Sequence, residues 1–113
     1  MASVQKTLRH WSLLHLEDKE LLTLIVGRKG GKTTIKIIDK LLMKPHNKNQ
    51  LAKILNVDYN TITHHIKIMH NHRYITEEKL DNVFYYLPSE KLFKSIEEYN
   101  IIREFILNNN LDE

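Results

Sequence analysis

Asn60, Thr61, His64, Lys67 and Asn71 recur at helical spacing in a stretch that reads as one helix beginning after Asp58. At 100° per residue they share a face whose side chains are short, polar or basic, with no carboxylate among them. Such hydrogen-bonding ends suit base edges and phosphates in a duplex major groove. On the opposite side Tyr59, Ile62, Ile66 and Met69 form an apolar stripe that is expected to turn inward. Asp58 is the expected cap, its carboxylate also favoured by the helix dipole.

The preceding stretch has to hold that helix in place. Asn47 and Gln50 have the spacing of a capping box for a helix with Leu51, Ile54 and Leu55 on one side. This helix is expected to stop at Asn56, leaving Val57 and Asp58 as a short connection. Lys48, Asn49 and Lys53 then lie where the first helix of such a pair crosses a nucleic-acid backbone. Upstream, Glu17–Val26 reads as a helix closed by Gly27 as its C′ glycine. Thr33 or Thr34 is the expected cap of a further helix running to about Met43, with Ile35, Ile38, Leu41 and Leu42 buried and Lys36, Lys40 and Lys44 outside. Pro45 ends it. Between the two lies GRKGGKTT, which misses a phosphate-binding loop by one residue, since Gly27 is one position too close to Gly31-Lys32. It reads instead as a basic connection.

After the helix pair, Arg73–Thr76 reads as a strand, Glu77–Asn82 as a turn and Val83–Leu87 as an aromatic return strand. Pro88 and Ser89 open a last helix, with Ser89 as cap, to about Asn108. Its face of Leu92, Phe93, Ile96, Tyr99, Ile102, Phe105 and Ile106 is wide for so small a domain, which points to a homodimer interface. The plainer alternative is packing on the rest of the chain, residues 1–26 included. Residues 1–16 read as a short helix or an extended arm.

Composition narrows the function. The 113 residues are one domain's worth, 42% hydrophobic and 27% charged. The absence of cysteine removes disulfides, thiolate metal sites and cysteine catalysis. Glu17 and Asp18 interrupt the first apolar stretch too early for a signal core or membrane span, so a soluble, cytoplasmic protein without membrane contact is expected. The net charge of +3 hides an asymmetry: residues 28–73 hold ten basic and two acidic side chains, a net of +8, and residues 74–113 hold four and nine, a net of −5. The basic block coincides with the helix pair, as a nucleic-acid-facing surface requires. Seven histidines raise a metal site, but His64, His65, His70 and His72 offer no i, i+4 pair. His65 is expected to flank the apolar stripe, partly buried, and His64 to face outward. Neither a cofactor nor an enzymatic motif is expected.

Residues 27–88 resemble archaeal ArsR-like winged helix-turn-helix transcriptional regulators. The likeness rests on Gly30-Gly31, on Asn47 with Gln50 and Leu51-Ala52, on Asp58-Tyr59 with Thr61, and on His64-His65. The resemblance implies a mostly α fold with a small β-hairpin, here with an N-terminal extension (1–26), the winged domain (27–88) and a C-terminal dimerisation helix and tail (89–113). It also implies double-stranded DNA as partner, with Asn60, Thr61, Thr63, His64 and Lys67 as base readers. Lys32, Lys36, Lys48, Asn49, Lys53 and Lys79 are the expected phosphate contacts. The chain departs from the pattern at Arg73, where glycine is common, and in an acidic rather than glycine-rich wing. Thiolate metal sensing does not carry over. The alternative is a winged-helix protein-interaction module that does not bind DNA.

Overall fold

In the computed structural model, which describes Leu13 and residues 15–109, the described residues form six helices and one antiparallel hairpin. The helices are α1 (Lys19–Val26), α2 (Gly31–Met43), α3 (Lys48–Leu55), α4 (Tyr59–Asn71), α5 (Glu90–Lys94) and α6 (Ile96–Asn109); the strands are β1 (Ile75–Leu80) and β2 (Val83–Pro88). Two compact units result. One is Thr33–Lys94; the other comprises the described residues up to Lys32 and from Ser95. None of these helices is long and apolar enough to cross a membrane.

In the unit built around the helix pair, α2 supplies the core. Ile35, Ile37, Ile38 and Leu41 are all buried. Leu42, expected inside, is half-buried, and Ile37 takes the inner place. The helix starts earlier than its threonines suggest: Thr34 lies inside it, fully buried, rather than at its cap. Gly27 closes α1 with an ordinary right-handed φ of −77°. The left-handed glycine is Gly30, at φ 86°. Next to it, a Cβ on Gly31 would come within 2.4 Å of the Ile25 carbonyl oxygen, so only glycine fits there.

The hairpin is longer than its sequence suggests. Glu77, Glu78 and Lys79 are not a turn but the middle of β1, paired with Tyr86, Tyr85 and Phe84. The turn is only Asp81-Asn82, both left-handed at φ 50° and 64°. That is the type I′ geometry whose twist matches the strands, and Asp and Asn tolerate it best after glycine. Cross-strand contact with aromatics stabilises a strand whose own residues have little β preference. His46 adds one further bridge, exchanging backbone hydrogen bonds of 3.2 and 2.8 Å with Tyr86.

Directly across the ladder, the Tyr86 hydroxyl donates to Glu77 Oε2 at 3.0 Å. Burial first, and this bond with Glu77 second, push the Tyr86 phenol up to about 12. An unfolded tyrosine ionises near ~10, so the folded state holds this proton more tightly. The resulting stability is whole below pH ~10 and fades as the pH rises toward about 12. Alkaline unfolding followed by circular dichroism should therefore be flatter between those limits in Tyr86→Phe than in the wild type.

In the other unit α6 lies against α1. Leu21, Leu24 and Ile25 are buried on α1, as are Tyr99, Ile102, Phe105 and Ile106 on α6. Asp18 caps α1 by accepting from the Leu21 amide at 2.9 Å, and it accepts a second bond of 2.7 Å from the Ser95 hydroxyl. The last helix is not continuous. It breaks at Ser95 into α5 and α6, and Ser89 caps the first part through a 3.3 Å bond from the Leu92 amide.

Candidate nucleic-acid interface

Local side chains fix the two ends of the turn between α3 and α4. Asn47 accepts from the Gln50 amide at 2.8 Å while its own amide donates to Gln50 Oε1 at 2.9 Å, completing the capping box. At the far end Asn56 is left-handed (φ 53°), and the Val57 amide reaches back to the Ala52 carbonyl at 3.0 Å. Asp58 Oδ2 then accepts from the Asn60 amide at 2.9 Å and starts α4. Capped at both sides of a three-residue link, α4 has a defined direction relative to α3.

Ile62, His65, Ile66 and Met69 are the inward face of α4. His65 is only 4% exposed, and its Nδ1 shares a 3.1 Å hydrogen bond with the hydroxyl of Thr34 on α2. Two residues expected inside are not. Tyr59 is 45% exposed and Ile54 51%, because each lies at the rim of its stripe where none of the described elements covers it. At the end of α4, Arg73 adopts φ 64°. The left-handed region costs a non-glycine residue about 1 kcal/mol or more, and it is where the resemblance leads one to expect glycine.

Asn60, Thr61, His64, Lys67 and Asn71 all lie exposed on the outer face. Thr63 does not join them: it is half-buried, and its hydroxyl oxygen is shielded without a hydrogen-bond partner. Of the expected phosphate contacts, Lys36, Asn49, Lys53 and Lys79 are exposed, and Lys32 and Lys48 are half-buried. His70 and His72 are exposed, and among the described residues no three His, Asp or Glu side chains converge as a metal site would need.

The hairpin adds a feature that residue spacing alone does not reveal. The starts of α3 and α4 and the inner face of the hairpin enclose an open cleft of about 210 Å3, lined by Asn47, Lys48, Asn49, Tyr59, Asn82, Val83, Phe84 and Tyr86. Lys48 Nζ sits 5.9 Å from the Tyr86 ring centre and Lys79 Nζ 5.8 Å from that of Phe84. The cleft therefore presents ammonium, amide and phenol donors over aromatic walls, beside the outer face of α4. Parity along the strands would have found Phe84 and Tyr86 on one side, once the turn was located at Asp81-Asn82.

The expected pairing face behaves differently. Leu92, Tyr99, Ile102, Phe105 and Ile106 are buried within the single chain, Phe93 is 54% exposed and Ile96 half-buried. Five of the seven thus serve as core.

No family profile and no curated protein matches the chain in sequence. Solved structures do match. A single-site mutant of Lactococcus lactis ZitR aligns with a TM-score of 0.57 at 19% identity, over 73% of this chain and 58% of that one. Transcriptional regulator Tm0710 from Thermotoga maritima aligns with a TM-score of 0.54 at 21% identity, over 67% and 56%. The matched part spans a little over half the length of these two proteins. The homodimeric winged helix-turn-helix DNA-binding domain of Mb0332 from Mycobacterium bovis, a possible ArsR-family regulator, aligns with a TM-score of 0.50 at 13% identity, over 97% and 81%. Likeness at such low identity speaks for architecture, and the architecture is that of a winged helix-turn-helix.

Proposed function

We propose that the chain is a sequence-specific, double-stranded-DNA-binding transcription regulator that places α4 in the major groove. The observation that carries this reading is the outer face of α4: Asn60, Thr61, His64 and Lys67 are exposed together with no carboxylate between them. The net of +8 over residues 28–73 supports it. In this reading Lys36, Lys48, Asn49 and Lys53 hold phosphates, Lys67 adds a phosphate contact from the reading face of α4, the cleft beside Tyr59 receives the backbone, and Thr63 packs rather than reads. The protein acts in the cytoplasm without enzymatic activity, and it represses by occlusion. The ArsR-like resemblance, archaeal source included, belongs with this proposal, as does homodimerisation, which is the state named for the Mycobacterium bovis neighbour. Since most of the expected pairing face is core, pairing would begin from what α5 leaves accessible, Phe93 first.

The test is anisotropy of a labelled duplex pool, followed by selection of bound sites. Affinity should fall by about a thousandfold between ~50 and ~200 mM salt if six or so phosphates are neutralised. Binding that is absent, or indifferent to salt, defeats the proposal. An interaction module that never docks on DNA draws on the exposed Leu80, Val83 and Phe84 at the wing tip. Pull-downs that survive nuclease while duplex binding is undetectable would favour it.

A further inference from the structure

We propose that the chain docks head to tail on a second copy of itself, the acidic outer stripe of α6 on one copy seating in a lysine-rimmed apolar groove of the other. The groove lies between the end of α2 and α3, has a volume of about 370 Å3 and is lined by Lys40, Met43, Lys44, His46 and Ile54. Met43 is 75% exposed and Ile54 51%, so two large apolar side chains stand in water at its mouth. Both charged lining residues are lysines, and no carboxylate lines it. His46 is buried, and its Nδ1 is bonded to the Lys44 carbonyl oxygen at 2.7 Å, which keeps the floor of the groove in place.

The matching surface is on α6. Glu97, Ile101 and Glu104 are all exposed and fall at i, i+4 and i+7, a stripe about 10 Å long on the side away from the core. Ile101, 41% exposed, is an aliphatic knob between two carboxylates. It fits an apolar groove whose rim is cationic, and it does so with the charge asymmetry of the whole chain, +8 over residues 28–73 against −5 over residues 74–113. Other occupants match only half of these features. A DNA backbone would meet the lysines but leave Met43 and Ile54 wet. Two α6 stripes brought face to face would oppose like charges. Made once between each pair of copies, the contact is heterologous and builds rings or open chains, whereas a reciprocal contact would close a symmetric pair and hold the mass at that of a dimer. It is distinct from the symmetric pairing proposed above and needs no DNA.

Sedimentation velocity on the full chain, without DNA, tests it at ~50 mM and ~500 mM salt. At low salt the average mass should climb past that of a dimer as concentration rises, and it should fall back at high salt. Lys44→Glu, Glu104→Lys and Ile101→Arg should each weaken this growth by about tenfold or more. All three positions are exposed, so folding should survive, as unchanged circular dichroism would verify. Combining Lys44→Glu with Glu104→Lys should restore growth. The proposal is overturned by a mass that never exceeds a dimer, by growth that ignores the single reversals, or by reversals that weaken growth without restoration in the combined variant.

Discussion

Lys67→Glu is expected to weaken duplex binding by roughly a hundredfold or more, with little change in melting temperature. Lys67 is exposed on α4, within one turn of His64 and Asn71 on the same face. Reversing its charge removes one phosphate neutralisation and places a carboxylate against the backbone it should contact. Because a phosphate contact carries no sequence information, the loss should be uniform across sites. Lys67→Ala should be milder and should lower the salt slope by about one. Asn60→Ala, in contrast, should alter which sites are selected more than how tightly the pool is held, since an amide reads base edges. Wild-type affinity retained by Lys67→Glu would move the DNA surface off this helix. A uniform loss without a change in salt slope would mean that the substitution acts through folding, which the melting temperature would reveal.

What could be read from the sequence is what local chemistry decides. The capping box at Asn47 and Gln50, the cap at Asp58 and the open face of α4 each depend on residues within one or two turns, and the structure places them as expected. Periodicity is less informative at the rims. Tyr59 and Ile54 satisfy an apolar spacing, yet whether they are covered depends on which element arrives from elsewhere in the chain. The hairpin is hard to read from sequence for a related reason. Glu77, Glu78 and Lys79 have poor strand preference alone, and only pairing with Tyr86, Tyr85 and Phe84 makes them a strand. The cleft walled by Phe84 and Tyr86 follows only once that pairing puts the turn at Asp81-Asn82. The break at Ser95 was equally hidden, because the hydroxyl bond it makes to Asp18 spans 77 positions. The breadth of the apolar face on α6 suggested a partner copy, and much of that breadth is explained by α1 lying against it.

The contact between α2 and the underside of α4 leads to the second large effect. Thr34 is fully buried and His65 is 4% exposed, and the 3.1 Å bond between the hydroxyl and Nδ1 joins two helices 31 positions apart. Valine has nearly the shape of threonine, so Thr34→Val keeps the packing and removes the hydroxyl alone. The imidazole then loses a polar partner in a place water does not reach. The cost is about 1–3 kcal/mol, and each kcal/mol lowers the melting temperature of a domain near this size by about 4–8 °C. Thr34→Ser keeps the hydroxyl and gives up one methyl, so it should cost about 1 kcal/mol. Val below Ser in thermal denaturation is the expected order. The reverse order would mean that filling the space matters more than the bond, and that the histidine is held by its other neighbours. Because neither substitution touches the outer face of α4, duplex affinity measured well below the melting temperature should be close to wild type for both. A loss of affinity in Thr34→Val at such a temperature would instead show that this bond sets the angle at which α4 meets its target.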